Sequence, residues 1–249
     1  LNRAYIHPND YALLVDLVAF LSRSHKEYRD SKCDIVLEYR IKESTGIYQW
    51  YHVRWIVYFK GDRAYRVVLA VRNTDAERHR QEELQRQAEC DPMTGLYNKG
   101  QVRKLIDEAL WVPDTENALL VLDMDGFKQV NDQLGHLAGD AVISNMALSL
   151  QTVFRKTDIM GRIGGDEFVL LLPRADQQAA AKLVVTLREL FHLDNQYHAS
   201  LPMSIAIGTA TSEPNETLDD MLKRADHQMY LDKKRYYAKN SAVLNQALR

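Results

Sequence analysis

Cysteine is nearly absent from the 249-residue chain: Cys33 and Cys90 offer neither a disulfide framework nor a zinc spacing. Reduced thiols in a reducing compartment, the cytoplasm, are the expectation. No apolar run approaches the ~20 residues that span a bilayer. The longest candidate, Tyr11 to Leu21, is interrupted by Asp16. No signal peptide is visible. There is no excess of one charge either. Lys plus Arg total 32 against 34 Asp plus Glu, which argues against a nucleic-acid polymer as the main partner. An apolar share of 46% excludes a disordered chain. The first residue is Leu1 rather than Met, so a piece of a longer protein is expected, with a membrane tether upstream left open.

Glycine is scarce in one region only. Gly46 and Gly61 are the sole glycines among the first ninety residues, and the other nine lie beyond. Eight of the thirteen tyrosines and two of the three tryptophans show the opposite bias. Residues 1–90 carry 15 basic and 13 acidic groups, a net of +2, and residues 91–249 carry 17 and 21, a net of −4. Two compositions predict two domains. An acidic domain that binds an anionic substrate needs a cation to bridge the two.

Residues 10–22 have helical period, with Leu13, Leu14, Leu17, Val18 and Leu21 on one face. Strands are expected at 34–41, 48–59 and 66–72, joined by hairpin turns at Ser44-Thr45-Gly46 and Lys60-Gly61-Asp62. Residues 75–89 are almost wholly polar, with good helix formers and no breaker. Two readings stay open for this connector: a solvated helix, or a short parallel coiled coil between protomers. Beyond Pro92, helices are expected at 101–110, 141–154, 177–191 and 218–233. Strands are expected at 118–122, 159–163, 168–172 and 203–210.

Two acidic groups carry the chemistry. Asp123 and Asp125 sit where an apolar strand is expected to run out, and Asp166 and Glu167 sit in a tight turn between two apolar segments. Carboxylates beside buried strands need a partner or a cation. A convergent set suits Mg²⁺, a hard ion that takes oxygen ligands and substrate phosphates. Gly164 and Gly165 allow close backbone approach to a ligand. Lys128 has the reach and charge for a phosphate. Asn131 and Asp140 offer the donor and acceptor pattern of a guanine edge. His7, His25 and His52 read as structural or exposed rather than haem ligands.

These motifs resemble those of the GGDEF domain, the catalytic domain of diguanylate cyclases. They are Asp91-Pro92-Met93-Thr94-Gly95-Leu96-Tyr97-Asn98, DMDGFKQVNDQLGHLAGD at 123–140, Arg162-Ile163-Gly164-Gly165-Asp166-Glu167-Phe168, and Ala225-Asp226-x-x-Met229-Tyr230 with Lys233. The resemblance implies an α+β fold, with a ferredoxin-like, cyclase-palm-type central sheet containing antiparallel strands and flanked by helices. It implies that two GTP become cyclic di-GMP and two pyrophosphates in a homodimer. It also implies two Mg²⁺ (or Mn²⁺) per site, held by Asp123, the Met124 carbonyl, Asp166 and Glu167. Glu167 is then near the attacking 3′-hydroxyl, and Asp166, Glu167 and Lys128 are the catalytic set. Asn131 and Asp140 read guanine, Lys128 and Lys233 contact the triphosphate, and Phe127 lies in the loop that cradles it. Arg155 and Asp158 have the RxxD form of the family's product-inhibition site, with cyclic di-GMP as inhibitor. One departure stands out. The family's usual phosphate-binding Arg falls at Tyr237, with Arg235 or Lys239 as substitutes.

Residues 1–74 resemble the second half of a PAS sensor, through His7-Pro8-Asn9-Asp10, Glu38-Tyr39-Arg40, Tyr48-x-Trp50 and Asn73-Thr74-Asp75. The resemblance leaves the PAS ligand unnamed. The organisation read from the sequence is a partial PAS domain at 1–74, a linker helix at 75–90 and a cyclase domain at 91–249. Two other classes compete with it: a catalytically silent receptor for GTP or cyclic di-GMP, and a PAS dimerisation module.

Overall fold

The computed structural model of the chain describes residues 5–110, 115–197, 204–214 and 216–247, without the side chains of 192–197 and 239–247. The backbone divides into two compact units, residues 1–85 and 86–249.

In the first unit, helix α1 (Tyr11–Ser22) precedes three strands, β1 (Lys32–Lys42), β2 (Tyr48–Lys60) and β3 (Arg63–Asn73), in an antiparallel meander of order β1-β2-β3. Period-2 alternation sorts the residues of β2 by face. Tyr51, Val53 and Trp55 join Tyr39, Ile6, Leu14 and Leu17 in one core. Of the expected α1 face, Leu14 and Leu17 are buried, whereas Leu13 and Val18 are exposed. The helix therefore turns further toward Tyr11 and Leu21, both packed against that core. The other sheet face carries ion pairs, Arg54 on Asp34 and His52 on Glu38, beside apolar Val36 and Val68.

Helix α2 (Asp75–Glu89) carries the chain from one unit into the other. Its start is fastened to the first sheet. The N–H of Thr74 donates to the Trp50 carbonyl, and the N–H of Trp50 donates to Asp75. Arg78 pairs with Glu38 and lies over the Trp50 ring at 4.3 Å. Its end is fastened to the second unit, where Asn98 donates to the carbonyls of Ala88 and Glu89. Residues 79–88 between these anchors are exposed.

The second unit contains α3 (Lys99–Leu110), β4 (Ala118–Asp125), α4 (Phe127–Leu134), α5 (His136–Val153), β5 (Ile159–Arg162), β6 (Glu167–Leu172), α6 (Gln177–Tyr197), β7 (Ser204–Thr211) and α7 (Leu218–Ala247). Its sheet has the order β5-β6-β4-β7, and every pairing is antiparallel. Both faces are covered, so β4 reads as a continuous apolar run rather than an alternating one. Leu120, Leu122 and Met124 meet Ile143, Met146 and Leu150 of α5 and Leu187 of α6. Leu119 and Val121 meet Val102 and Ile106 of α3 and Met221 and Ala225 of α7.

Several boundaries differ from expectation, among them α6, which runs to Tyr197 rather than ending at 191. Strand β4 does not stop at Leu122 but pairs through Asp125. Helix α5 begins at His136, so Gly139 and Asp140 lie inside it. Helix α4, not anticipated as an element, carries Lys128 and Asn131. Helix α7 runs on past Lys233. Residue 203, the expected start of β7, lies outside the described residues.

Candidate active site

The extension of β4 places two motifs side by side. Asp123 stands directly opposite Glu167 in the β4–β6 ladder and opposite Ala206 in the β4–β7 ladder. Asp166 precedes Glu167 in the turn. The three carboxyl groups therefore share one end of the sheet. Lys233 reaches the same place from α7, with Nζ 2.6 Å from Asp123 Oδ1.

The electrostatics of this end are strained by burial. Burial raises the Asp166 carboxyl, and the Asp123 carboxylate raises it further. Burial raises Glu167 too, with Asp123, Asp166 and Asp226 adding to the effect. Asp125 is 1% exposed, and neither of its oxygens has a hydrogen-bond partner in place. Burial pushes it up to about 6, against the opposing pull of Lys233. Burial alone would lower Lys233, but the contact with Asp123 holds it above its ordinary value. An ammonium group thus sits on a carboxylate in a site with too few positive charges.

Among the described residues no three acidic, imidazole or thiol groups converge closely enough to cage a metal ion. The donors nonetheless fit a hard divalent cation. All are carboxylates or a carbonyl, and Lys233 already acts as the cation of Asp123.

The signature turn is held from outside. Arg162 donates to the carbonyls of Gly164 and Gly165 and to both oxygens of Asp91. Burial alone would raise Asp91, but hydrogen bonds from Thr94 and Arg162 hold it below its ordinary value. The two glycines differ. A side chain at Gly164 would meet the Glu167 carboxylate, whereas a methyl at Gly165 would meet nothing within 4 Å.

The remaining expected residues fall into three places. Asn131 on α4 packs against Gly139, with Phe127 beside it, which brings Asn131 and Asp140 to neighbouring positions. Gly139 has no room for a side chain there. Lys128 is exposed and has no ion pair among the described residues. Arg155 and Asp158 form a turn before β5, in which the Arg155 N–H donates to Asp158 at 2.8 Å. Strand β5 separates that turn from the signature.

Tyr237 is exposed beside Tyr236, and the side chain of Lys239 lies outside the described residues. The three histidines weighed as haem ligands have local contacts: His7 with Asn9 and Tyr48, His25 with Phe20 and Glu27, and His52 with Glu38. Sequence alone gives no role to Arg162 or Asp91, although both lie in the motifs quoted above; the contact between them is visible only in the folded chain.

The chain is 35% identical over 165 residues to diguanylate cyclase DgcM of Escherichia coli, which covers 64% of this chain and 40% of that protein. It is 32% identical over 163 residues to the cyclic di-GMP phosphodiesterase PdeR of Escherichia coli, covering 63% of this chain and 24% of that one. It therefore spans less than half the length of either relative. The crystal structure of the coiled coil and GGDEF domain of DgcB from Caulobacter crescentus, in complex with c-di-GMP, superposes with a TM-score of 0.58 at 26% identity, covering 65% of this chain and 88% of that one. Residues 88–238 match the family model described as "Diguanylate cyclase, GGDEF domain", and the chain belongs to that family.

Proposed function

We propose that the chain is a diguanylate cyclase that condenses two GTP into cyclic di-GMP and two pyrophosphates. The observation that carries this reading is the apposition of Asp123 and Glu167 on paired strands beside Asp166, all in a family whose relatives include named cyclases. In each half-reaction the 3′-oxygen of one GTP forms a bond to the α-phosphorus of the other, and the bond to pyrophosphate breaks. The hydroxyl proton leaves to a base. Bound Mg²⁺ or Mn²⁺ would neutralise charge on the reacting phosphate and the leaving pyrophosphate. Asp123, the Met124 carbonyl, Asp166 and Glu167 would hold it.

The other roles fall to this chain's own groups. Glu167, beside the attacking 3′-hydroxyl, receives its proton. Lys233 and Lys128 carry positive charge to the triphosphate. Phe127 bounds the cradle. Asn131 and Asp140 select guanine over adenine through its N1–H and exocyclic amine. Because each protomer holds one GTP, the product requires a homodimer. Residues 1–74 serve as a PAS-type sensor, and α2 sets how two cyclase domains meet. Arg155, suited to bidentate phosphate contact, and Asp158 bind the product as inhibitor.

The test is incubation with GTP and Mg²⁺ and separation of the nucleotides. Cyclic di-GMP as product supports the proposal. Tight GTP binding with no product at high protein concentration would instead favour a silent receptor.

A further inference from the structure

Among the described residues, strand β7 is the outer strand of its sheet, and one of its edges has no neighbouring strand. Natural sheets cover such edges. Here the N–H of Ile207 donates to Asp232 Oδ2 of α7 at 3.0 Å, and Arg188 of α6 reaches the same oxygen at 2.6 Å. One carboxylate thus joins α6, β7 and α7. Its place in the register is informative. Ile207 pairs with Leu122, and the adjacent Ala206 pairs with Asp123. The residue after Asp232 is Lys233, whose ammonium is on Asp123. Two consecutive helix residues therefore grip two consecutive rungs of the β4–β7 ladder.

Gly208 completes the arrangement. A side chain there would run into the backbone of α7 at Ala225 and Met229, so helix and strand touch directly. A long lysine stem is flexible and loses rotamer freedom when fixed. Its ammonium is placed well only if the helix under it cannot slide or turn.

We propose that Asp232 is a positioning residue for Lys233, locking α7 at the height and rotation that deliver the ammonium to Asp123 and the triphosphate. The triphosphate half of this rests on the cyclase reading above. The placement of Lys233 on Asp123 does not.

The experiment uses the full chain with Asp232→Ala, Asp232→Asn and Lys233→Met, singly and combined. First, Lys233 is labelled by an amine-reactive ester without nucleotide and followed by mass spectrometry, with exposed Lys99 as the internal reference for reagent activity and circular dichroism on the same samples as the control for unfolding. Asp232→Ala should label Lys233 roughly threefold faster or more, and Asp232→Asn, which keeps an acceptor for Ile207, should fall between it and wild type. Second, Asp232→Ala should raise the KM for GTP roughly three- to tenfold with a smaller change in kcat, and should raise it no further in the Lys233→Met background.

Unchanged labelling of Lys233, or KM effects that simply add, would overturn the proposal. Should Asp232→Ala fail to fold, Asp232→Asn and Arg188→Gln carry the same labelling comparison. A wild-type chain that neither binds nor converts GTP removes the cyclase reading, while the labelling result still decides whether Asp232 positions Lys233.

Discussion

Arg162 contacts both carboxylate oxygens of Asp91, at 3.1 and 3.2 Å, although 71 positions separate the two residues. Asp91 lies two residues beyond the end of α2, and Arg162 holds the carbonyls of Gly164 and Gly165. The pair therefore ties the linker's exit to the signature turn. Arg162→Ala frees a partly buried carboxylate and two carbonyls. It should cost about 1–3 kcal/mol of stability in the second unit and lower turnover on the order of tenfold or more. Arg162→Lys keeps the charge but loses the planar fork and should recover only part of the rate. Thermal unfolding and steady-state rates on the same preparations check both.

Gly164 and Gly165 make separable predictions. Nothing within 4 Å opposes a methyl at Gly165, so Gly165→Ala should leave the unfolding temperature near wild type. If that glycine exists for close approach of nucleotide, GTP affinity and turnover should still fall. A side chain at Gly164 must displace Glu167, so Gly164→Ala should lose activity through the carboxylate itself. Calorimetric GTP binding set against unfolding temperature distinguishes the two.

His25 gives the first unit a pH dependence of known sign. Its Nδ1 faces the Glu27 carboxylate at 2.9 Å and its Nε2 the Phe20 carbonyl at 2.8 Å. A carboxylate and a carbonyl both accept, so the arrangement favours the imidazolium, which can donate from both ring nitrogens. The Glu27 contact, then the Phe20 carbonyl, raise it above the ordinary 6.5. A raised histidine contributes stability that is complete below about 6.5 and is lost as pH rises through the folded value. Stability of the first unit should therefore decline from pH 6 upward, and His25→Gln should flatten that decline. Chemical denaturation across pH 5 to 9, followed by tryptophan fluorescence, measures the slope.

Arg155 belongs to a turn remote from the signature, so its replacement leaves the carboxylate end intact. Arg155→Ala should relieve inhibition by added cyclic di-GMP while the initial rate stays close to wild type. Inhibition unchanged by this substitution would remove the product-site assignment.

The carboxylate end of the second unit is legible in the sequence because its pattern is local. LLVLDMD and GGDEF each place acidic residues directly against an apolar segment, within or beside a glycine-containing turn. The extent of β4 is less legible. Asp123 and Asp125 look like solvent-facing residues past a strand end, yet the ladder continues through both because β7 pairs with them on the far side. The boundary of α5 is hidden for a similar reason, since Gly135 and Gly139 look like loop while Gly139 packs inside a helix against Asn131. The brace at Asp232 has no local signature. Its meaning comes from an edge strand and a second helix that only the tertiary structure brings to it.

The most direct measurement is the stoichiometry of products from GTP and Mg²⁺, in the wild-type chain and in Glu167→Gln. The account predicts one cyclic di-GMP for every two pyrophosphates in the wild type. It predicts that Glu167→Gln keeps its fold and its GTP binding and loses turnover on the order of a hundredfold or more. Bound GTP with no cyclic di-GMP from the wild type, or undiminished turnover by Glu167→Gln, would contradict it.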